Sequence, residues 1–285
     1  MANLLQERYS NMVLARLRAS LVTKDNVIFN TQYEGNPKAG AVKVPTRAEV
    51  TVGDYNKASG ITGTTSDTTY VTLTIDKDKA VNEVIDGYDA SAVPDGIVAD
   101  RLDSAGYGLA NDMDKKSIAI LEAGATVMAT KTASTKSNIF SSIVDAGQAL
   151  DEANVPVTGR YLIISPAIRS LLVKSDEFIK ASDLGQEILI TGAIGQINGF
   201  NVYMSNNCMK DDTTITPGKK TTTEFIAGHP MCASRVMEWQ VPVHVQDLNG
   251  SGSYIGASAV QGRQIWGAKV THKAGLLLKV VEATE

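Results

Sequence analysis

The sequence predicts an α+β chain in which an extended N-terminal segment and a long hairpin precede one long helix and a compact mixed unit. Three observations carry that prediction. Apolar residues Val98, Leu102, Ala105, Leu109, Met113 and Ile120 recur at steps of three, four or seven, the spacing that lines one face of a helix. Two strand-like runs, AVKVPTRAEVTV and TTYVTLTI, flank a polar, glycine-rich stretch, GDYNKASGITGTTSD, as the arms of a hairpin do. A helix, strand, helix order then follows between Ile139 and Lys174.

Residues 4–21 place Leu5, Tyr9, Val13, Leu17 and Leu21 on one helical stripe, with Arg8, Arg16 and Arg18 off it. The stripe reads as a docking helix; three arginines against one glutamate also make it basic enough to meet a partner or a polyanion. Thr31 to Gly40 has no periodicity and reads as an extended arm. In the hairpin, Ala41 to Leu73, the residues Val42, Val44, Val50 and Val52 alternate with polar ones, so at most one face is apolar. A lone two-stranded hairpin is marginally stable in water and needs a surface to lie on, its own domain or a neighbouring subunit. Lys79 to Asp89 reads as a short strand-like link.

The long helix is expected over Pro94 to Ala123. Pro94 suits the first helical position, Asp95 the positive end of the dipole and Gly124 a stop. At 1.5 Å per residue the run would measure roughly 45 Å. Gly106 and Gly108 in its middle each cost about 1 kcal/mol against alanine, so packing must hold the helix, and they mark a bend point. After a polar connection, Asn138 is placed to cap a second helix, Ile139 to Glu152, which Val155-Pro156 ends. Arg160 to Ser165 is an apolar run of strand length, and Pro166 opens a short helix through Lys174. Further strands are expected at Phe200–Ser205, Thr222–Ala227 and Val241–Val245, a short helix at Pro230–Glu238, and a closing strand pair within Gly256–Val281.

With 285 residues the chain can bury one large core or two modest ones. The net charge of -4, without a polybasic run, argues against tight, sequence-independent nucleic-acid binding. No apolar run has the length of a membrane span or a signal core, which reads as an intracellular, soluble product. Cys208 and Cys232 fit free thiols better than a disulfide framework.

No motif of catalysis survives inspection. His229, His244 and His272 lack the HExxH spacing, and Cys208, His229 and Cys232 could meet at a metal but have no Cys-x-x-Cys anchor. Gly218-Lys219 is not a phosphate loop, because Thr213 stands where its first glycine belongs and Lys220 where Ser or Thr should follow. Gly192, Gly195 and Gly199 do not make GxGxxG and precede a strand. No serine sits in GxSxG, and Asp76 and Asp78 begin a calcium-type loop in which Val81 replaces the required glycine. No catalytic, cofactor-binding or metal-binding residue is therefore assigned, and the chain reads as a non-enzyme.

Three segments then gain meaning together: TLTIDKDKAVNEVIDGYDA before the long helix, DEANVPVTGRYLIISPAIRSLL in the middle and GAIGQINGFNVYMSNN after it. They, and the order of parts, resemble the major capsid proteins of tailed bacteriophages with the Hong Kong 97-type fold. The resemblance implies an N-terminal arm at 1–40, an extended loop at 41–78, a peripheral domain at 79–129 containing the spine helix 94–123, an axial domain at 130–255, and a return to the peripheral domain at 256–285. It implies a shell protein that assembles in the host cytoplasm as hexamers and pentamers, through a procapsid, into an icosahedral virion around double-stranded DNA. A portal is an expected partner, as is weak, non-specific contact with the packaged DNA, with the basic arm near the inner face; no membrane is involved. A separate scaffolding protein is expected, because no long N-terminal extension of the built-in scaffold kind is seen. Some members of the family crosslink lysine to asparagine; Lys57 lies at the hairpin tip, but no asparagine follows Gly250, so the chain departs from that pattern. Two alternatives stay open: an encapsulin-like compartment enclosing protein cargo, and an α/β enzyme with an unrecognised site.

Overall fold

The computed structural model describes residues 18–23, 25–32, 40–47, 50–63, 65, 68–92, 96–175, 195–212, 215, 219–250 and 254–282. Most of the stripe over 4–21 and of the arm over 31–40 lies outside these residues; the described end of the stripe, 18–21, is not helical.

Strands β1 (Ala41–Arg47) and β2 (Thr68–Thr74) form the expected hairpin, antiparallel from the Ala41–Thr74 pair to the Arg47–Thr68 pair. Its apolar face is short: Val44 and Leu73 near the base are buried. Strand β3 (Lys77–Ile85) follows, but the link does not stay extended to Asp89. The side chain of Asp86 accepts from Tyr88 N at 2.8 Å and its carbonyl from Ala90 N at 2.9 Å, and this turn opens a short helix, α1 (Gly87–Ala92).

The long helix, α2, spans Ile97–Gly124. Pro94 and Asp95 fall outside the described residues, and the residue before the helix is Gly96 in the left-handed region at φ 62°, a conformation glycine adopts without strain. Gly124 is the last helical residue rather than the stop; Ala125 caps the helix by donating to Leu121 O. The demand on Gly124 is steric, since a Cβ there would lie 2.4 Å from Val270 Cγ2.

Strands β3, β10 (Ser258–Val270) and β9 (Ala233–Asp247) form an antiparallel sheet in the order β3-β10-β9. The first half of α2 lies across it, with Ala105, Val260 and Ile85 buried together and Gln264 Nε2 donating to Leu109 O at 3.1 Å. The short helix expected over Pro230–Glu238 is a correction: one 3-10 turn, Pro230–Cys232, gives way to β9. His229 Nδ1 accepts Met231 N and caps that turn, after which the ladder from Ala233–Val270 onward satisfies the backbone and overrides local propensity.

A second, six-stranded sheet has the order β4-β11-β8-β5-β7-β6, with β4 Thr126–Val127, β5 Tyr161–Ile164, β6 Gln196–Ile197, β7 Phe200–Met204, β8 Thr221–Gly228 and β11 Leu276–Glu282. Helices α3 (Ile139–Glu152) and α4 (Pro166–Val173) cover one face, where Ile143 and Leu150 pack with Leu162, Ile164, Phe225 and Ala227. The second half of α2 covers the other, where Ile118 and Leu121 pack with Tyr161, Ile163, Ile226 and Leu278. All four residues of β5 are consequently buried, the reason its sequence is uniformly apolar. Asn138 precedes α3 without capping it; its Oδ1 accepts Thr135 N at 2.6 Å instead.

Two further expectations change. The closing strands are not a pair: β10 belongs to the three-stranded sheet and β11 sits between β4 and β8. A division at residue 255 also cuts through a sheet, because β9 on one side pairs with β10 on the other along Ala233–Asp247. Ladder length decides this: the thirteen residues of β10 support β3 on one edge and β9 on the other.

Candidate functional surfaces

The residues singled out for chemistry have ordinary structural partners. His229 Nε2 lies 3.1 Å from Thr158 O, and His244 Nδ1 lies 3.0 Å from Pro242 O. Cys208 and Cys232 are free thiols in the core shared with Ile118 and Leu278. Burial, with Glu122 and Asp114 nearby, pushes the Cys208 thiol up to about 12, far from the thiolate form a nucleophile needs. Asp78 is held by Arg263 in an ion pair, and this hydrogen bond keeps its carboxyl below the usual carboxylate range. Asp76 pairs with Lys77 at 2.5 Å. Among the described residues no group of three or more His, Cys, Asp or Glu is placed to hold a metal. Gly199 sits at φ 78° in the β6–β7 turn, while Gly192 lies outside the described residues.

Polar groups that sequence periodicity passes over do more. On α2, the stripe residues Val98, Leu102, Met113 and Ile120 are half-buried, whereas Asp114, Ser117 and Glu122 are buried. Asp114 Oδ1 accepts from Val22 N at 3.0 Å, Thr23 N at 2.9 Å and Thr23 Oγ1 at 2.8 Å, and its Oδ2 from Asn207 Nδ2 at 2.7 Å. Glu122 accepts from Met209 N at 2.8 Å, and burial holds its carboxyl above the ordinary value. In the other sheet, Ser134 donates through N and Oγ to Glu224, and Lys279 Nζ donates to Thr130 O at 2.6 Å, with burial pulling the ammonium down. These contacts tie the connection after α2 to the sheet. A period-3.6 stripe marks apolar faces and is silent about charges neutralised by distant segments.

A cavity of about 490 Å³ lies between α2 and the three-stranded sheet, lined by Leu21, Gly106, Leu109, Met113, Pro242 and Val243 among others. Its carboxylate, Asp114, is engaged by backbone, hydroxyl and amide donors, and among the described residues lining the recess no nucleophile and base stand in register.

The hairpin presents the opposite feature. Beyond its base it exposes Val50, Val52 (92%), Tyr55 (72%), Ile61 and Tyr70, and the tip closes through a bridge between Asn56 and Gly60. Scattered apolar residues on a surface are normal, but five on one hairpin, exposed among the described residues, mark a contact surface. Gly267 seats the base: a Cβ there would lie 2.3 Å from Thr74 O, and Lys269 Nζ donates to Thr72 O at 2.8 Å.

The model of the family described as phage capsid protein matches residues 83–277. No curated protein matches the sequence. Among solved structures, one from Mycobacterium phage Che8 superposes with a TM-score of 0.79 at 24% identity, covering 97% of each chain. The capsid structure of the cyanophage P-SCSP1u gives 0.79 at 15% identity over 98% of this chain and 93% of that one. The mature capsid of bacteriophage PhiM1 gives 0.71 at 14% identity over 99% and 93%. At these identities the structures show a shared fold, and the family model carries the assignment.

Proposed function

The chain belongs to the phage capsid protein family and is a phage major capsid protein, and from that premise we propose that it assembles, as hexamers and pentamers, into the icosahedral shell around the double-stranded DNA of a tailed phage. The observation that supports this reading beyond the family is the hairpin, whose exposed Val50, Val52, Tyr55 and Ile61 would gain burial on a neighbour. In this reading residues 1–40 are the arm, β1 and β2 the extended loop, α2 the spine, the three-stranded sheet the peripheral domain, and the six-stranded sheet with α3 and α4 the axial domain. A portal and a separate scaffolding protein are its partners during assembly in the host cytoplasm. Weak, non-specific contact with the packaged DNA is assigned to the basic arm, whereas Arg18 pairs with Asp103 and lies 4.8 Å from the ring of Tyr107.

The test is particle size. Purified protein, alone and with its scaffolding protein, is expected to sediment as large particles that appear as closed shells by negative-stain microscopy. Protein that stays monomeric or dimeric under every assembly condition would overturn the reading.

A further inference from the structure

The sequence contains Asn-Gly twice, at Asn198-Gly199 and Asn249-Gly250, each preceded by a branched aliphatic residue, Ile197 or Leu248. Glycine in the second position leaves the main-chain nitrogen unshielded, so in an unfolded chain it can reach the asparagine side-chain carbonyl. The fold treats the two sites differently. Asn198 (φ 46°) and Gly199 (φ 78°) are the central residues of the β6–β7 turn, and the pairs Gln196–Asn201 and Ile197–Phe200 hold the backbone on both sides. Asn198 Nδ2 also packs on α3, 2.7 Å from where a Cβ on Gly147 would stand. Asn249 and Gly250 are exposed in the loop from β9 to β10. There Asp247 Oδ1 accepts Asn249 N at 2.9 Å, Leu248 N donates to Ala257 O at 3.0 Å, and Gly256 N donates to Asn249 Oδ1 at 2.7 Å. The last bond sets a main-chain donor on the oxygen that becomes negative when the Asn249 Cγ is attacked.

We propose that Asn249 is a site of self-modification, at which the folded loop turns the side-chain amide into a carboxylate, while Asn198 is protected. Gly250 N gives its proton to water or hydroxide and bonds to Asn249 Cγ, and the Gly256 N–H steadies the oxyanion on Oδ1. The Cγ–Nδ2 bond then breaks, Nδ2 leaves as ammonia with a proton from solvent, and a succinimide closes. Water adds to either ring carbonyl, a ring C–N bond breaks, and the chain reopens as aspartate or isoaspartate at position 249. Asn198 cannot follow this course without breaking its turn and lifting its amide off α3. The product adds a negative charge beside Asp247 to a chain of net charge -4. Isoaspartate also adds a methylene to the main chain of the loop that carries the exposed Tyr254 and Ile255.

Full-length protein, incubated folded and in parallel unfolded in guanidinium chloride, tests this. Peptides cut after lysine and arginine are read by mass spectrometry for conversion of amide to acid. The peptide 236–263 holds Asn249 as its one asparagine, and fragmentation assigns Asn198 within the peptide 181–210. In the unfolded chain the two sites are expected to convert at similar rates. In the folded protein Asn249 should convert at least as fast as when unfolded, and faster at mildly alkaline pH, where more of the Gly250 nitrogen is deprotonated. Asn198 should convert about tenfold or more slowly than when unfolded. Gly250→Ala should slow conversion of Asn249 severalfold in both states, because a methyl group shields the attacking nitrogen. An Asn249 that stays an amide in the folded protein while converting in the unfolded chain would overturn the proposal, as would equal rates at the two sites in the folded protein. An unchanged rate in Gly250→Ala would overturn the succinimide route. These readouts need no particles, so their outcome is independent of the assembly reading.

Discussion

Burial governs Glu122 more than any charge around it, and its carboxyl therefore titrates above the ordinary value of 4.5. A carboxyl raised in the folded state adds stability that is fully present below its unfolded pKa and is lost as pH rises through the folded one. Glu122→Gln keeps an acceptor for Met209 N and removes that titration. Thermal unfolding from about pH 4 to about pH 8 should show the variant gaining on the wild type as pH rises. A constant gap across that range would contradict the burial argument. Asp114 and Arg235 teach a related lesson. In the sequence they interrupt or ignore the apolar periodicity, and their roles become visible only when Thr23, Asp25 and Asn207 arrive from far along the chain.

At the scale of elements, glycines separate what periodicity can and cannot predict. Gly106 and Gly108 meet nothing within 4 Å of an added Cβ among the described residues, so close packing against those residues does not explain them. Replacing both with alanine should raise subunit stability by about 1–2 kcal/mol in urea unfolding, the helix-propensity gain. The same stiffening is expected to shift the size distribution of assembled particles, seen by negative stain, if the two positions let the spine bend. Unaltered particles would leave them without a bending role. Gly267 is the reverse case. Alanine there would press on Thr74 O and on Ile75 Cα, 2.9 Å away, both main chain, so the base of the hairpin must move. We expect a loss of about 1–3 kcal/mol in the same assay. Helices α3 and α4, strands β5, β7 and β8, and the hairpin were legible because each carries its own period or punctuation. The 3-10 turn at Pro230–Cys232 and the length of β9 were not, because β10 supplies the ladder that extends them.

For the whole molecule, the exposed hairpin sets up a clean separation between folding and assembly. Val52→Asp with Tyr55→Asp changes residues that touch water in the subunit, so thermal stability should move by no more than about 0.5 kcal/mol per site. Sedimentation should nevertheless lose the large particles, because an apolar contact with a neighbour would have to bury carboxylates. Particles at wild-type yield would exclude the tip from the interface. The sequence by itself determined the α+β class, the hairpin, the long helix, and the helix-strand-helix unit, since these rest on side-chain period and on local turn chemistry. It also carried the family resemblance that residues 83–277 bear out. Only the tertiary structure decided which sheet each late strand joins, why Gly124 and Gly267 must be glycine, and which charges are buried along α2. Those outcomes depend on partners separated by up to about two hundred residues, such as Thr23 and Arg235, and no local pattern encodes where such partners meet.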